Sequence, residues 1–366
     1  MKILVLAQEY SSKEKISQGF IHTRNLEYIK AGIIVDVISF ALKNGKYNLD
    51  KINVYSEKEF YKEHNISEYN IIISHAPNIK NHCKFINRNN KKIRKIFFFF
   101  HGHEVLKTNE IYPKPYDFVK KKNILKENVR YLYDRFKLLY LTKFLKKYLS
   151  KSIYIFVSEW MYEEFKKNIK IPENEYKAKS NIIYNSLGNE FLKNTYNIGK
   201  PKIYDFITIR NMLDKSKYCV DLVYNLAIKY PKYKFLVVGK GEFFKHHKLP
   251  PNLIFESKYL NHKEITEYLD KSRFALMPTK ADAQGVMMCE MATYGIPLIT
   301  SDIFVCQKVL GGLKNVRFIK NDISRIDLEK TIKNLLPEKD KPERFSYKNT
   351  IKKEIELIKQ QGEKNV

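Results

Sequence analysis

The chain has 366 residues, 44% of them hydrophobic, and a net charge of +27. That length accommodates two α/β domains with sizeable cores, and 26 tyrosines with 23 phenylalanines argue against disorder. No apolar run approaches the roughly 18 residues that a membrane span needs. The charge has two readings: an anionic partner, or the coding bias of an AT-rich genome, since lysine far outnumbers arginine.

Lys2–Ala7 reads as a buried parallel strand. The opening MKILVLAQEY has one lysine, a short apolar run and then Glu9, so it reads as that strand and not as a secretory signal, and a cytoplasmic chain is expected. A loop to Gly19, a helix from about Phe20 to Lys30, the Ala31-Gly32 stop and a strand over Ile33–Phe40 form a first βαβ unit. The loop lacks G-x-G-x-x-G, which removes the dinucleotide fingerprint. Gly19 serves either a turn or the close approach of a ligand.

Further strands are expected at Tyr69–Ser74, ending in His75, and at Ile96–Phe100, ending in His101-Gly102-His103-Glu104. Both histidines stand at carboxyl ends of strands, where open sheets bind ligands; a purely structural role is the alternative for each. H-x-H without further ligands does not make a metal site, and Cys83, Cys219, Cys289 and Cys306 show no metal spacing, reading instead as free thiols of a reducing compartment.

Between Pro115 and Ser152 there is neither glycine nor a further proline. Leu125, Val129, Leu132, Phe136 and Leu139 recur at helical spacing, and Leu138, Leu141, Leu145 and Leu149 continue the stripe. Lys120, Lys121, Lys122, Lys126, Arg130, Arg135, Lys137, Lys143, Lys146, Lys147 and Lys151 crowd the rest. Such a helix either meets an anionic membrane surface or presents a solvated face over a core stripe. A strand at Ile153–Val157, a helix capped by Ser158 and a last strand at Ile182–Tyr184 finish this half. Gly188–Pro201 is the linker.

The second half opens with a strand over Tyr204–Ile209 ending in Arg210, a polar loop carrying Lys215 and Lys217, and a helix to about Tyr230. A strand-end arginine and a nearby lysine can clamp a diphosphate, one as a fork of donors and the other as a point charge; in a lysine-rich chain they can also be plain surface. Phe235–Val238 leads into Gly239-Lys240-Gly241-Glu242, which is not a Walker loop. A strand at Asn252–Glu256 and a helix at His262–Lys271 follow. Then come a strand over Arg273–Met277 stopped by Pro278, a polar loop, a helix opened by Gly285 and closed by Gly295, and a strand over Ile296–Thr300. The N–H groups of Gly285, Val286 and Met287 suit an anion at the positive end of that helix. Asp282 in the loop and Glu290 inside the helix can reach hydroxyls of the same ligand; the alternative is a helix cap and a solvated acid. A strand at Asn315–Ile319 and helices at Asp327–Leu335 and Tyr347–Gln361 complete the chain.

The stretch RFALMPTKADAQGVMMCEMATYGIPLITSD, Arg273–Asp302, resembles the Glu-x7-Glu segment of retaining GT-B glycosyltransferases, glycosyltransferase family 4 (glycosyl transferases group 1). It departs at the first acid, Asp282, one methylene shorter, and reduces Gly-Phe-Gly to Gln284-Gly285-Val286. Arg210 with Lys215 or Lys217, the Gly239-x-Gly241 turn, Gly19 and His101 match further positions, and Asn185-Ser186 resembles the family's Asn-Gly with Ser186 replacing the glycine. The resemblance implies catalytic roles for His101, Asp282, Arg210, Lys215 and Lys217. It implies donor binding by Gly19, Gly239, Gly285, Val286, Met287 and Glu290, the last on the ribose. The implied fold is α/β, GT-B, with two Rossmann-like doubly wound domains facing across a cleft. Residues 1–190 would bind the acceptor, 200–340 the nucleotide-sugar, and 341–366 would form a C-terminal helix packing back on the first domain.

The implied reaction moves a sugar from a nucleotide-sugar, UDP- or GDP-linked, with retention of anomeric configuration. Neither metal nor cofactor is expected, since no D-x-D stands at a strand end; Arg210, a lysine and the helix N–H groups would stabilise the departing diphosphate. The family implies a glycan or lipid-linked glycan acceptor in bacterial surface polysaccharide synthesis, with segment 115–152 at the inner face of the plasma membrane. Two other classes compete. Asp282 in place of glutamate keeps open a catalytically silent GT-B scaffold. The charge raises a nucleic-acid-binding protein, but no aromatic-interleaved basic motif, zinc pattern or RNP pattern accompanies it, so no nucleic-acid partner is expected.

Overall fold

The computed structural model describes residues 1–12, 19–119 and 124–363, with 124–128 as backbone alone. The chain divides into two compact units. One comprises Met1–Lys107, Arg130–Ser186 and Tyr347–Val366, the other Thr108–Val129 and Leu187–Ser346.

The first unit is built on an eight-stranded sheet: β1 Lys2–Ala7, β2 Ile34–Ser39, β3 Lys46–Leu49, β4 Ile52–Tyr55, β5 Ile71–His75, β6 Lys95–Phe100, β7 Ser152–Phe156 and β8 Ser180–Ile182. The strand order is β3-β4-β2-β1-β5-β6-β7-β8, parallel except for the antiparallel β3–β4 edge. The winding reverses at β1 and β5, so this is a doubly wound sheet with its switch point there. The run Phe97–Phe100 is wholly buried, as a parallel strand covered on both faces must be.

The helix Lys353–Glu363 belongs to this unit and buries Ile355 and Ile358 in its core. Its Glu354 accepts from Arg24 Nε at 3.1 Å and from the Tyr28 hydroxyl, and Arg24 Nη1 donates to Asn185 Oδ1 at 3.0 Å. The expected helix from Tyr347 begins with a π turn over Lys348–Lys352 and becomes regular only from Lys353.

The long basic segment forms the helix Ile124–Lys147. Its two apolar series do not share a face. Leu138, Leu141 and Leu145 are buried, whereas Val129, Leu132, Phe136 and Leu139 are each about 60% exposed (64%, 63%, 59% and 62%). The single stripe expected from the spacing is therefore two stripes on opposite sides. Asp134 and Lys137 are buried as a pair at 2.7 Å, and Lys137 Nζ also donates to the carbonyls of His103 and Leu106. Lys143 and Lys146 are exposed. Lys120, Lys121, Lys122 and the side chains of Leu125 and Lys126 lie outside the described residues. Among the described residues, no helix is long and apolar enough to cross a membrane.

The second unit carries a wholly parallel six-stranded sheet: β9 Tyr204–Met212, β10 Phe235–Lys240, β11 Leu253–Glu256, β12 Ser272–Met277, β13 Leu298–Ser301 and β14 Val316–Ile319. The order β11-β10-β9-β12-β13-β14 reverses at β9 and β12. Strand β9 runs past Arg210, which the sequence placed at its end, because Met212 pairs with Lys240 beyond a register shift at Gly239. The helix expected over Asp327–Leu335 is only Leu328–Ile332, capped by Asp327. The segment Thr108–Val129, read from sequence as part of the first half, groups with this unit. The Tyr116 hydroxyl donates to Asp221 Oδ1 at 2.9 Å, and Phe118 stacks on His246 at 4.5 Å between ring centroids. All four cysteines are free and buried.

Candidate functional site

The helix Val286–Tyr294 follows β12 through the loop Pro278–Gly285. Gly285 caps it with a left-handed backbone, φ +75°, where a side chain would strike the Met288 methyl, and Gly295 ends it at φ +101°. The first N–H groups of such a helix have no partner within it, and Val286 and Met287 are part-exposed at its opening.

Arg210 and Lys217 meet the loop that leads into this helix. The Arg210 side chain is 6% exposed. One guanidinium nitrogen donates to the Pro278 carbonyl at 2.8 Å, while its buried Nε has no partner among the described residues. Burial lowers the Arg210 and Lys217 pKa values, and the Asp282 charge opposes that in both. The Lys217 carbonyl accepts from the Lys280 N–H at 2.7 Å and from Thr279 Oγ1 at 3.0 Å. The turn bearing the lysine is thereby fastened to the loop bearing Asp282, whose Oδ1 accepts from the Ala283 N–H. Lys215 is exposed, so Lys217 is the lysine set beside the buried arginine.

Gly239 abuts Arg210 from the neighbouring strand: a Cβ on it would lie 1.8 Å from the Arg210 carbonyl oxygen. The glycine thus lets β9 and β10 approach closely at the arginine. Gly241 does likewise for Asp214, whose Oδ1 accepts from the N–H groups of Glu242 and Phe243.

Glu290 lies one turn inside the helix and is 4% exposed. Its Oε1 accepts from the Gly188 N–H at 3.0 Å, with His262 Nε2 at 3.8 Å. Burial raises its pKa to about 7, with the Gly188 N–H opposing. The solvated-acid alternative for Glu290 is thereby removed. Gly188 was read only as linker, yet a Cβ there would lie 2.4 Å from His262 Nδ1. Neither contact has a sequence signal, since each joins residues far apart in the chain.

In the first unit, His101 follows β6. Its Nε2 is 3.0 Å from His75 Nδ1, and its ring lies 4.7 Å from that of Phe20. Burial holds both histidines well below the usual imidazole range, so the pair is neutral. The His101 N–H donates to the buried Glu104 carboxylate. Gly102, at φ +152°, has open space where a side chain would stand. Gly19 is the first residue of the helix Gly19–Lys30. Among the described residues, no group of three or more histidine, cysteine or acidic side chains could hold a metal ion.

Residues 197–352 match the sequence pattern of the family described as glycosyl transferases group 1. The whole chain superposes on a sucrose-phosphate synthase from Thermosynechococcus elongatus at 12% identity and TM-score 0.65, covering 100% of this chain and 94% of that one. The fold is GT-B. Anabaena HepE, solved in complex with UDP and glucose, is similar at 11% identity and TM-score 0.61, with 98% of each chain covered. WaaG, a glycosyltransferase involved in lipopolysaccharide biosynthesis, is similar at 11% identity and TM-score 0.60, covering 99% of this chain and 98% of that one. No curated protein matches the chain by sequence. The family match and the GT-B fold together support a glycosyltransferase. The matched segment contains Arg210, Lys217, Gly239, Asp282 and Glu290 but none of the first-unit histidines.

Proposed function

We propose that the protein is a retaining glycosyltransferase that takes a sugar from a nucleoside diphosphate sugar. The observation that carries this reading is the buried Arg210, whose Nε has no partner among the described residues, beside Lys217 against the loop that leads into a glycine-opened helix. A buried cation cluster short of counter-charge is suited to a ligand that brings negative charge. A nucleoside diphosphate leaves as an anion, and each well-placed donor at its developing charge can supply roughly 3 kcal/mol.

In this reading Arg210, Lys217 and the N–H groups of Gly285, Val286 and Met287 hold the diphosphate, and Lys215 is its exposed auxiliary. Glu290 faces the ribose; with a pKa near 7 it can accept or donate a hydrogen bond at neutral pH. Asp282 and the neutral His101 address the sugar, while Gly19 and Gly239 bring backbone towards the donor. The acceptor hydroxyl attacks from the side the diphosphate leaves, and a leaving phosphate oxygen takes its proton. No metal or cofactor is assigned a step.

The acceptor is a glycan or lipid-linked glycan of bacterial surface polysaccharide synthesis, met by a cytoplasmic enzyme at the inner membrane face. The exposed Val129, Leu132, Phe136 and Leu139, with Lys143 and Lys146 farther along the same helix, support that location. Calorimetric titration with UDP- and GDP-sugars tests the donor, followed by NMR of the product's anomeric proton. Binding of a donor and retention of configuration are expected; binding of none, or inversion, overturns the reading.

A further inference from the structure

Resting on the diphosphate site proposed above, one residue outside the resemblance lies against both of its cations. Tyr218 lies in the 3₁₀ turn Ser216–Tyr218, which Cys219 ends in a left-handed conformation, φ +51°. The Arg210 guanidinium carbon lies 4.7 Å from the centre of the Tyr218 ring, and Lys217 Nζ lies 4.7 Å from the same centre. Lys217 Nζ is also 5.5 Å from the ring of Tyr112, in the segment that groups with this unit. The turn is built in place, because the Lys217 carbonyl is held by Thr279 and Lys280 of the central loop.

Two like charges sharing a poorly hydrated place repel and would splay apart. A carboxylate between them would hold them together but would also cancel the charge a phosphate needs. An aromatic ring attracts cations through its quadrupole and carries no net charge. Burial and Asp282 both raise the Tyr218 hydroxyl pKa, so the phenol stays neutral.

We propose that Tyr218 is a positioning residue: its ring holds Arg210 and Lys217 together as a preset cation pair for a diphosphate, and Tyr112 covers the outer flank of Lys217. The cations then need little reorganisation when the ligand arrives, which is where preorganised sites gain affinity.

The test is calorimetric titration of the full chain with UDP, GDP, UMP and GMP. Tyr218→Leu is expected to weaken binding of whichever nucleoside diphosphate the unaltered chain prefers by about tenfold or more, and to change the matching monophosphate by less than about threefold. Tyr218→Phe keeps the ring and is expected to stay within about twofold of the original. Tyr218→Met, which fills similar volume without a ring, carries the same expectation as leucine should the leucine variant not fold. Tyr112→Leu is expected to give a smaller loss confined to the diphosphate. Ringless variants that bind diphosphate normally overturn the inference while leaving the donor reading intact. A phenylalanine variant as weak as the leucine one overturns it in favour of the hydroxyl. Failure of the unaltered chain to bind any nucleoside diphosphate overturns both.

Discussion

Each unit buries an arginine, and the two are treated in opposite ways. Arg24 meets the Glu354 carboxylate and the Asn185 side chain; among the described residues only its Nη2 lacks a partner. Arg210 meets one backbone carbonyl, a tyrosine ring and a second cation, with Asp282 as the nearby acid. The first charge is satisfied within the chain and holds elements together. The second is kept short of counter-charge, which costs stability and leaves a place for an anion. Burial of a charged residue therefore does not by itself mark a site; what marks it is how completely the protein answers the charge.

The strongest way to break this contrast is at the satisfied pair. Glu354→Ala leaves Arg24 buried without its counter-ion and should destabilise the protein by roughly 3–5 kcal/mol, read from the urea midpoint. Arg210→Met should do the reverse: stability within about 1 kcal/mol of the original, but turnover lowered by about 10²–10³-fold. A large stability loss from Arg210→Met would make it a structural arginine like Arg24.

Glu290 sharpens the contrast through pH. Its folded-state pKa is raised from 4.5 to about 7, so the folded chain binds this proton more tightly than the unfolded chain. The corresponding stability is fully present below pH 4.5 and is lost as pH rises through about 7, a change of roughly 3 kcal/mol. Glu290→Gln should flatten that part of the pH–stability curve; an unchanged slope would mean the carboxylate is not desolvated. Gly239→Ala forces a methyl against the Arg210 carbonyl and should cost roughly 1–3 kcal/mol, with loss of nucleotide binding as Arg210 shifts. Lys143→Gln with Lys146→Gln should weaken sedimentation with anionic vesicles by about thirtyfold, at roughly 1 kcal/mol per charge near the surface. Unchanged sedimentation would discard the membrane contact.

Much of the architecture was legible because parallel strands buried on both faces announce themselves, as Phe97–Phe100 and Leu236–Val238 do. The central helix was legible from its two glycines. The β3–β4 edge was not read: Lys46–Leu49 is a short polar strand with no apolar alternation, and only its partner makes it one. Val129 and Leu138 are nine residues, about 900° of helix, apart and so belong on opposite sides; that much was legible, whereas which side the fold covers was not. At the site, Arg210, Lys217 and Glu290 were found from their places at strand and helix ends. Tyr218 escaped because in a chain with 26 tyrosines nothing local distinguishes the one whose ring two cations share. The Gly188 contact with Glu290 escaped because it closes over about a hundred residues.

The helix that carries Glu354 lies beyond residue 346, after the whole of the second unit. On the ribosome, Arg24 is therefore made early and must wait for its carboxylate until the intervening sheet has been translated. The unit that starts first is completed last, and chains released before residue 354 hold Arg24 without its carboxylate in a core that also lacks Ile355 and Ile358. Such chains are natural targets for chaperones and proteases.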